Sequence, residues 1–274
     1  MSWPATLTLN YQRDGARTVS RHQHQGPLRV FRSLYPEGSE VCHTVIVHPP
    51  GGLVGGDDID ISVDVQADAH ALISTPGATR FYASDHAPAR QRTHVRVGQG
   101  ARLEWLPLET IAYSGCRGRN QWHAELAPTA EVIGWDVMAL GMPHANRPFV
   151  SGWFEQQVSI AGLWREQGRI AAEDQRLLHS PLGLASNNCM GTLWWACGSA
   201  PARDLRDWVT DDCRLALTSS DCLCAVTSPN EQVLAVRALA PAVEPLMHGL
   251  QQAWAALRRC AWNMHSTAPR IWQV

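Results

Sequence analysis

From Val41 onward, apolar and polar residues alternate over short stretches, each closed by Gly, Pro, Asp or Asn. The clearest stretch is 58–65, where Ile59, Ile61, Val63 and Val65 fall on one side of a pleat and Asp58, Asp60, Ser62 and Asp64 on the other. That is the period of a half-buried strand. Further strands are predicted at 42–47, 69–74, 93–97, 101–105, 122–126, 133–140, 152–160, 192–197, 213–217 and 233–239. Residues 142–151 hold two prolines and an asparagine and predict a loop. The segment before Gly38 is mixed in pattern, and 203–209 predicts one or two helical turns.

One long helix is expected, at about 243–262. Val243, Leu246, Met247, Leu250, Trp254, Leu257 and Ala261 recur at three- and four-residue steps, while Gln251, Gln252, Arg258 and Arg259 lie elsewhere. Pro241 and Pro245 precede or enter its first turn, where proline is tolerated. Strands at such regular intervals with no helix between them predict a mainly β chain, as a sandwich or a solenoid of stacked strands. The expectation is a single domain over 1–274, with a β-rich body at about 41–240 and the long helix behind it.

Composition removes several functions. The chain has 274 residues and a formal net charge of −2, with no run of like charges, so nothing favours nucleic acid. All 23 basic residues are arginine. The absence of lysine rules out a Walker A lysine, a pyridoxal-phosphate Schiff base and any lysine nucleophile. No apolar export segment follows the first residue, which places the expected location in the cytoplasm. The eight cysteines form no CxxC pair and read as small buried apolar residues. Cys222 and Cys224 are the close pair and on a strand would face the same side, which permits metal binding; His22 and His24 also share one face of a strand but have no third ligand nearby.

Among the acids, Asp136 stands out. On a strand it shares a side with Val132, Met138 and Leu140, so a carboxylate points into apolar surroundings and needs a partner. It is either satisfied by backbone or arginine donors or lines a polar cavity. Asp57, Glu104, Glu109 and Glu166 are candidates for the same lining, and such oxygen ligands hold a divalent cation less tightly than histidine or thiolate cages. The glycines around Asp57 and Asp58 do not make a phosphate loop, because a strand follows where a helix is required.

Four stretches carry a resemblance: PPGGLVGGDD from Pro49, STPGATRFYAS from Ser74, EWLPLETI from Glu104 and GWDVMALG from Gly134. In this order and spacing they resemble the urease accessory protein UreD (UreH) family, well over 41–176 and loosely beyond. The resemblance implies an irregular β-helical stack and a non-enzymatic scaffold. That scaffold joins the accessory proteins UreF and UreG, with GTP turnover belonging to UreG, and docks on the urease apoprotein. It also implies no tightly bound cofactor, Ni²⁺ being held only in transit, with Asp57, Thr79, Asp136 and Glu166 as positions lining a passage. Arg80, Glu104 and Glu109 are further motif positions. Arg80 stands where the family often has lysine, while Ala83 and Met142 replace arginines common at those places. Two other readings remain at this point. A cytoplasmic carbohydrate-active enzyme on a β-solenoid would pair Glu104 with Glu109 beside Trp105, and a plain interaction module would have no link to urease.

Overall fold

A computed structural model describes residues 4–273. The strands in chain order are β1 (Pro4–Asp14), β2 (Arg17–Gln25), β3 (Arg29–Val30), β4 (Val41–Val47), β5 (Asp58–Val65), β6 (His70–Ser74), β7 (Thr79–Phe81), β8 (Ala89–Val97), β9 (Arg102–Trp105) and β10 (Thr110–Ala112). There follow β11 (Arg117–Leu126), β12 (Glu131–Leu140), β13 (Trp153–Ile160), β14 (Trp164–Ala171), the short helix α1 (Gln175–His179), β15 (Cys189–Cys197), α2 (Arg203–Ala216), β16 (Leu223–Asn230), β17 (Val233–Ala240) and α3 (Val243–Trp262).

The middle of the chain winds as a solenoid. β5, β8, β11 and β13 stack parallel in one sheet, and β4, β6, β9 and β12 stack parallel in another. A third, shorter parallel face is made by β7 and β10 against the far half of β12. The first sheet is closed at its ends by β1 and β2 and by antiparallel β14, and the second is extended by antiparallel β15, β17 and β16.

Tight corners need the glycines of the PPGGLVGG stretch. Gly51 and Gly56 take positive φ of 78° and 89°. A Cβ on Gly52 would sit 2.4 Å from the Tyr82 ring, and one on Gly55 would sit 2.2 Å from the Ser84 hydroxyl. The loop is thereby pressed onto the next coil, with no room for a side chain.

Parallel sheets are normally covered on both faces. The second sheet obeys: β12 is buried almost throughout, its odd positions Ile133, Trp135 and Val137 packing with Trp254 and Leu257 of α3, its even positions Val132, Met138 and Leu140 facing the first sheet. The first sheet keeps its outer face in water, which is why β5 alternates so cleanly. Charged ladders line that face, with Arg92 bound to Asp58 and Asp60 and Glu155 between Arg119 and Arg169.

α3 is fixed to the second sheet by buried charges. Glu104 of β9 accepts a hydrogen bond from the Trp254 indole at 2.6 Å, shares one of 2.8 Å with His70, and lies 3.5 Å from Arg258. Arg258, with no exposed surface, donates to Glu37 at 2.7 Å, and Glu37 also pairs with His43. Burial alone would raise the Glu37 pKa, but hydrogen bonds from His43 and Arg258 carry it below the ordinary carboxylate value.

The long helix falls where its apolar stripe predicts it, and six of the eight free cysteines are buried. Two expectations fail. Residues 213–217, expected as a strand, lie in the last turn and cap of α2, a helix of 14 residues rather than one or two turns. Val209 and Cys213, four apart, face the α3 side, and Leu205 packs there too; burial at helical spacing decides against a strand. The segment before Gly38, mixed in pattern, contains the long hairpin β1–β2, in which Ala5, Leu7, Leu9 and Tyr11 alternate inward. Among the described residues, no helix is long and apolar enough to cross a membrane.

Replacing Arg258 with Met strands two buried carboxylates and is expected to lower stability by about 3–5 kcal/mol. Arg92→Ala on the solvated face should cost no more than about 1 kcal/mol. Urea denaturation of the two variants checks this, and equal losses would contradict the role given to Arg258. Because the Glu37 pKa is depressed by folding, its share of this stability is present above the unfolded carboxylate pKa and is lost as pH falls.

Candidate functional site

In-register parallel strands place paired residues side by side on the same face. One such row crosses the inner face of the first sheet: Ile59, Gln91, Asn120, Gln156 and Gly168. Three consecutive members are amides, and the Gln91 amide donates to Asn120 at 3.3 Å. The neighbouring rows are buried, with Ala89 and Phe154 on one side and Thr93, Trp122 and Val158 on the other. The amides themselves are only half-buried.

A cavity lies at each end of this row. The first, of about 200 Å³, is lined by Gln91, Thr79, Arg80, His48, Gly52 and Trp105 among others. The second, of about 210 Å³, is bounded by Gln156, Glu166, Thr192 and Met190 with an apolar wall of Val158, Ile170 and Leu184. The facing wall supplies hydroxyls: Thr79 pairs with Thr110, and Thr110 with Met138, two residues along β12 from Asp136.

Asp136 sits where these lines meet. Its backbone pairs with Thr192 of β15, and its side chain, on the inward side with Val132 and Met138, is 8% exposed. Burial pushes its pKa up to about 6; a hydrogen bond from Gln156 opposes the shift and the nearby Glu166 charge adds to it. Glu166 reaches in from β14 to accept the Thr192 hydroxyl at 2.9 Å and the Arg237 guanidinium at 2.5 and 3.0 Å. The interior thus carries oxygen donors and one carboxyl group that titrates close to neutrality.

The other expected positions divide. Asp57 closes the glycine loop by accepting the Val54 N–H at 2.9 Å. Its charge still reaches His48 on the first cavity, partly offsetting the fall in pKa that burial imposes on that imidazole. Glu104 and Glu109 do not line the interior. Glu104 lies on the opposite side of the second sheet, held by His70, Trp254 and Arg258. Glu109 directly precedes inward-facing Thr110, and burial together with the charge of Glu244 on α3 raises its pKa. Both acids therefore lie on the α3 side of the second sheet, and Glu104 is committed to the contacts that hold that helix. A carbohydrate site built on Glu104 and Glu109 loses its acid pair, because Glu104 is fully buried and held by His70, Trp254 and Arg258. His22 and His24 are exposed on β2, and among the described residues no group of three His, Cys, Asp or Glu side chains could hold a metal ion.

The amide row was not anticipated. Its signal is present in the sequence: Gln91, Asn120 and Gln156 each stand two residues before a buried inward residue, namely Thr93, Trp122 and Val158.

The pKa of Asp136 gives a stability test. Because folding raises it, the carboxyl contributes most below the unfolded pKa of about 4, and that contribution is lost as pH rises through about 6. Asp136→Asn should match the parent near pH 4 and exceed it in thermal stability above pH 6, by on the order of 3 kcal/mol. Melting curves across pH 4–8 check this; a pH-independent difference would contradict the buried acid.

Comparison with known proteins bears on the whole chain. The sequence model of the UreD urease accessory protein family matches residues 4–273. Proteins named urease accessory protein UreD from Albidiferax ferrireducens and Verminephrobacter eiseniae are each 53% identical to it over the full length of both chains. One of the same name from Variovorax paradoxus is 49% identical over 99% of both. With four motifs, a stacked β-coil and end-to-end similarity in agreement, the chain belongs to the UreD family of urease accessory proteins.

Proposed function

We propose that this protein is a non-enzymatic scaffold that acts in the cytoplasm with UreF and UreG on the urease apoprotein, and that its interior carries Ni²⁺ toward the urease active site during GTP-dependent insertion. In this reading GTP is turned over by UreG. The chain itself holds apo-urease open to metallation and supplies a polar route through its core. The observation that carries the proposal is the amide row Gln91–Asn120–Gln156, whose end members line two separate cavities and whose Gln156 hydrogen-bonds Asp136.

The chemistry suits transit. A closed apolar core has no reason to place three amides in register, since each unpaired buried polar group costs free energy. Amide, hydroxyl and carboxylate oxygens are weak ligands for Ni²⁺ compared with imidazole or thiolate, so an ion exchanges between them rather than being trapped. Neighbouring strands are about 4.8 Å apart, which places successive amides one short step from each other. Thr79 and Thr110 contribute hydroxyls on the opposite wall. Asp136 supplies a negative charge when it ionises, and Glu166 marks the far cavity.

Co-expression with urease and its accessory proteins tests this. Asp136→Ala should leave UreF and UreG recovered with the protein in unchanged amounts while nickel per urease active site, at limiting metal, falls several-fold. Unchanged nickel content in the matured urease would remove the passage from the account.

A further inference from the structure

Of the eight free cysteines, Cys222 and Cys224 are the two that solvent reaches; the other six are buried. Cys222 directly precedes β16 and Cys224 lies two residues on, so the extended chain turns both thiols to one side. Val226 continues that side and packs with α2 and α3. The pair therefore sits where the end of α2, the start of β16 and the middle of α3 meet.

The two sulfurs converge on one oxygen. The Cys222 thiol donates to the Ser220 hydroxyl at 3.4 Å, and the Cys224 sulfur lies 3.7 Å from the same atom. That hydroxyl gives its own proton to the Leu217 carbonyl at 2.7 Å, so it meets both thiols as an acceptor. Gly249 of α3 closes the inner side. A Cβ there would stand 2.9 Å from the Cys222 sulfur, 3.5 Å from the Leu217 side chain and 3.6 Å from that of Ser220. Only glycine lets the helix come this close while the sulfur keeps its position. Among the described residues, no third His, Cys, Asp or Glu joins the pair in a larger metal cluster.

We propose that Cys222 and Cys224 form a two-coordinate site for a soft monovalent ion of the Cu⁺ class, bounded on its inner side by Gly249 and Leu217. Ligand number and softness decide the ion. Zinc completes a tetrahedron and hard cations gather oxygens, whereas a monovalent ion with a filled d shell is satisfied by two thiolates in line. Two steps along an extended chain also set the Cα atoms near the upper limit for a disulfide, which favours a bridging ion over an S–S bond. Burial raises the Cys222 pKa and the neighbouring Cys224 adds to the shift, so Cys222 keeps its proton until a metal displaces it. Two protons then pass to solvent as one M⁺ enters, and a bis-thiolate of charge −1 remains. None of this rests on nickel passage: β16 is the end strand of the second sheet, and the sulfurs face the helices rather than the interior row.

Competition for copper tests the site on the full chain, reduced and handled without oxygen. Cu⁺ is supplied as its bicinchoninate complex, and the loss of that complex's colour reads the metal taken by the protein. The parent should take one Cu⁺ per chain. Cys222→Ser and Cys224→Ser should each fall to the level of the double variant, in which the six buried cysteines remain as the control. Gly249→Ala keeps every thiol and adds a good helix former, yet its Cβ forces the Cys222 sulfur aside and should weaken binding by about tenfold. Equal uptake by the parent and the double Ser variant would overturn the proposal. So would Zn²⁺ held by the parent as tightly as Cu⁺ and lost in the same variants, because that requires more ligands than these two.

Discussion

In-register parallel stacking is the constraint on which the structure depends. Once β5, β8, β11 and β13 are stacked with paired residues side by side, the residue type at one offset in a strand is set next to the same offset in its neighbours. Apolar residues at such an offset give a continuous strip of core: Val63, Val95, Ala124 and Ile160 do this. Polar residues at an offset give a continuous polar line through the same core, and Gln91, Asn120 and Gln156 do that. One geometric rule thus yields both the stability of the coil and the feature that interrupts its apolar interior.

The second sheet separates two tasks by strand parity. Its outward positions carry the rigid attachment of α3, where Glu104, Arg258, Glu37 and two histidines form a buried network that would be hard to rearrange. Its inward positions carry Asp136, which is hydrogen-bonded to Gln156, and Thr192, which lines the second cavity and donates to Glu166. A carboxylate locked by a guanidinium and an indole is fit for holding a helix. One kept near its titration point by burial is fit for exchanging a proton or an ion. Glu104 and Asp136 are the two cases, on opposite faces of the same sheet.

Much of this was legible from the residues. The alternation in 58–65, the apolar stripe of 243–262 and the inward side of Asp136 follow from periods of 2 and 3.6 that hold locally. What could not be read depends on contacts between coils. The register that aligns Gln91 with Asn120 is a tertiary fact, because each residue in its own strand is an ordinary polar interruption. Acidity alone makes Glu104 and Glu109 candidates for the lining beside Asp136, yet the face a side chain takes is set by its place on the coil, and both lie on the α3 side. The full length of the helix at 203–216 is not legible in the sequence because its apolar positions are few, and Val209 and Cys213 gain meaning only against α3. The hairpin β1–β2 was missed because its second strand is largely solvated and its pattern is weak.

The central claim is that the interior row is a wet, cation-permissive line rather than dry packing between buried amides. High-resolution crystallography of the protein soaked with Ni²⁺, with data collected at the nickel absorption edge, reads this directly. The account predicts ordered water between Gln91 and Gln156 and an anomalous peak beside the Asp136 carboxylate. A dry interior with nickel confined to surface histidines such as His22 and His24 would contradict it.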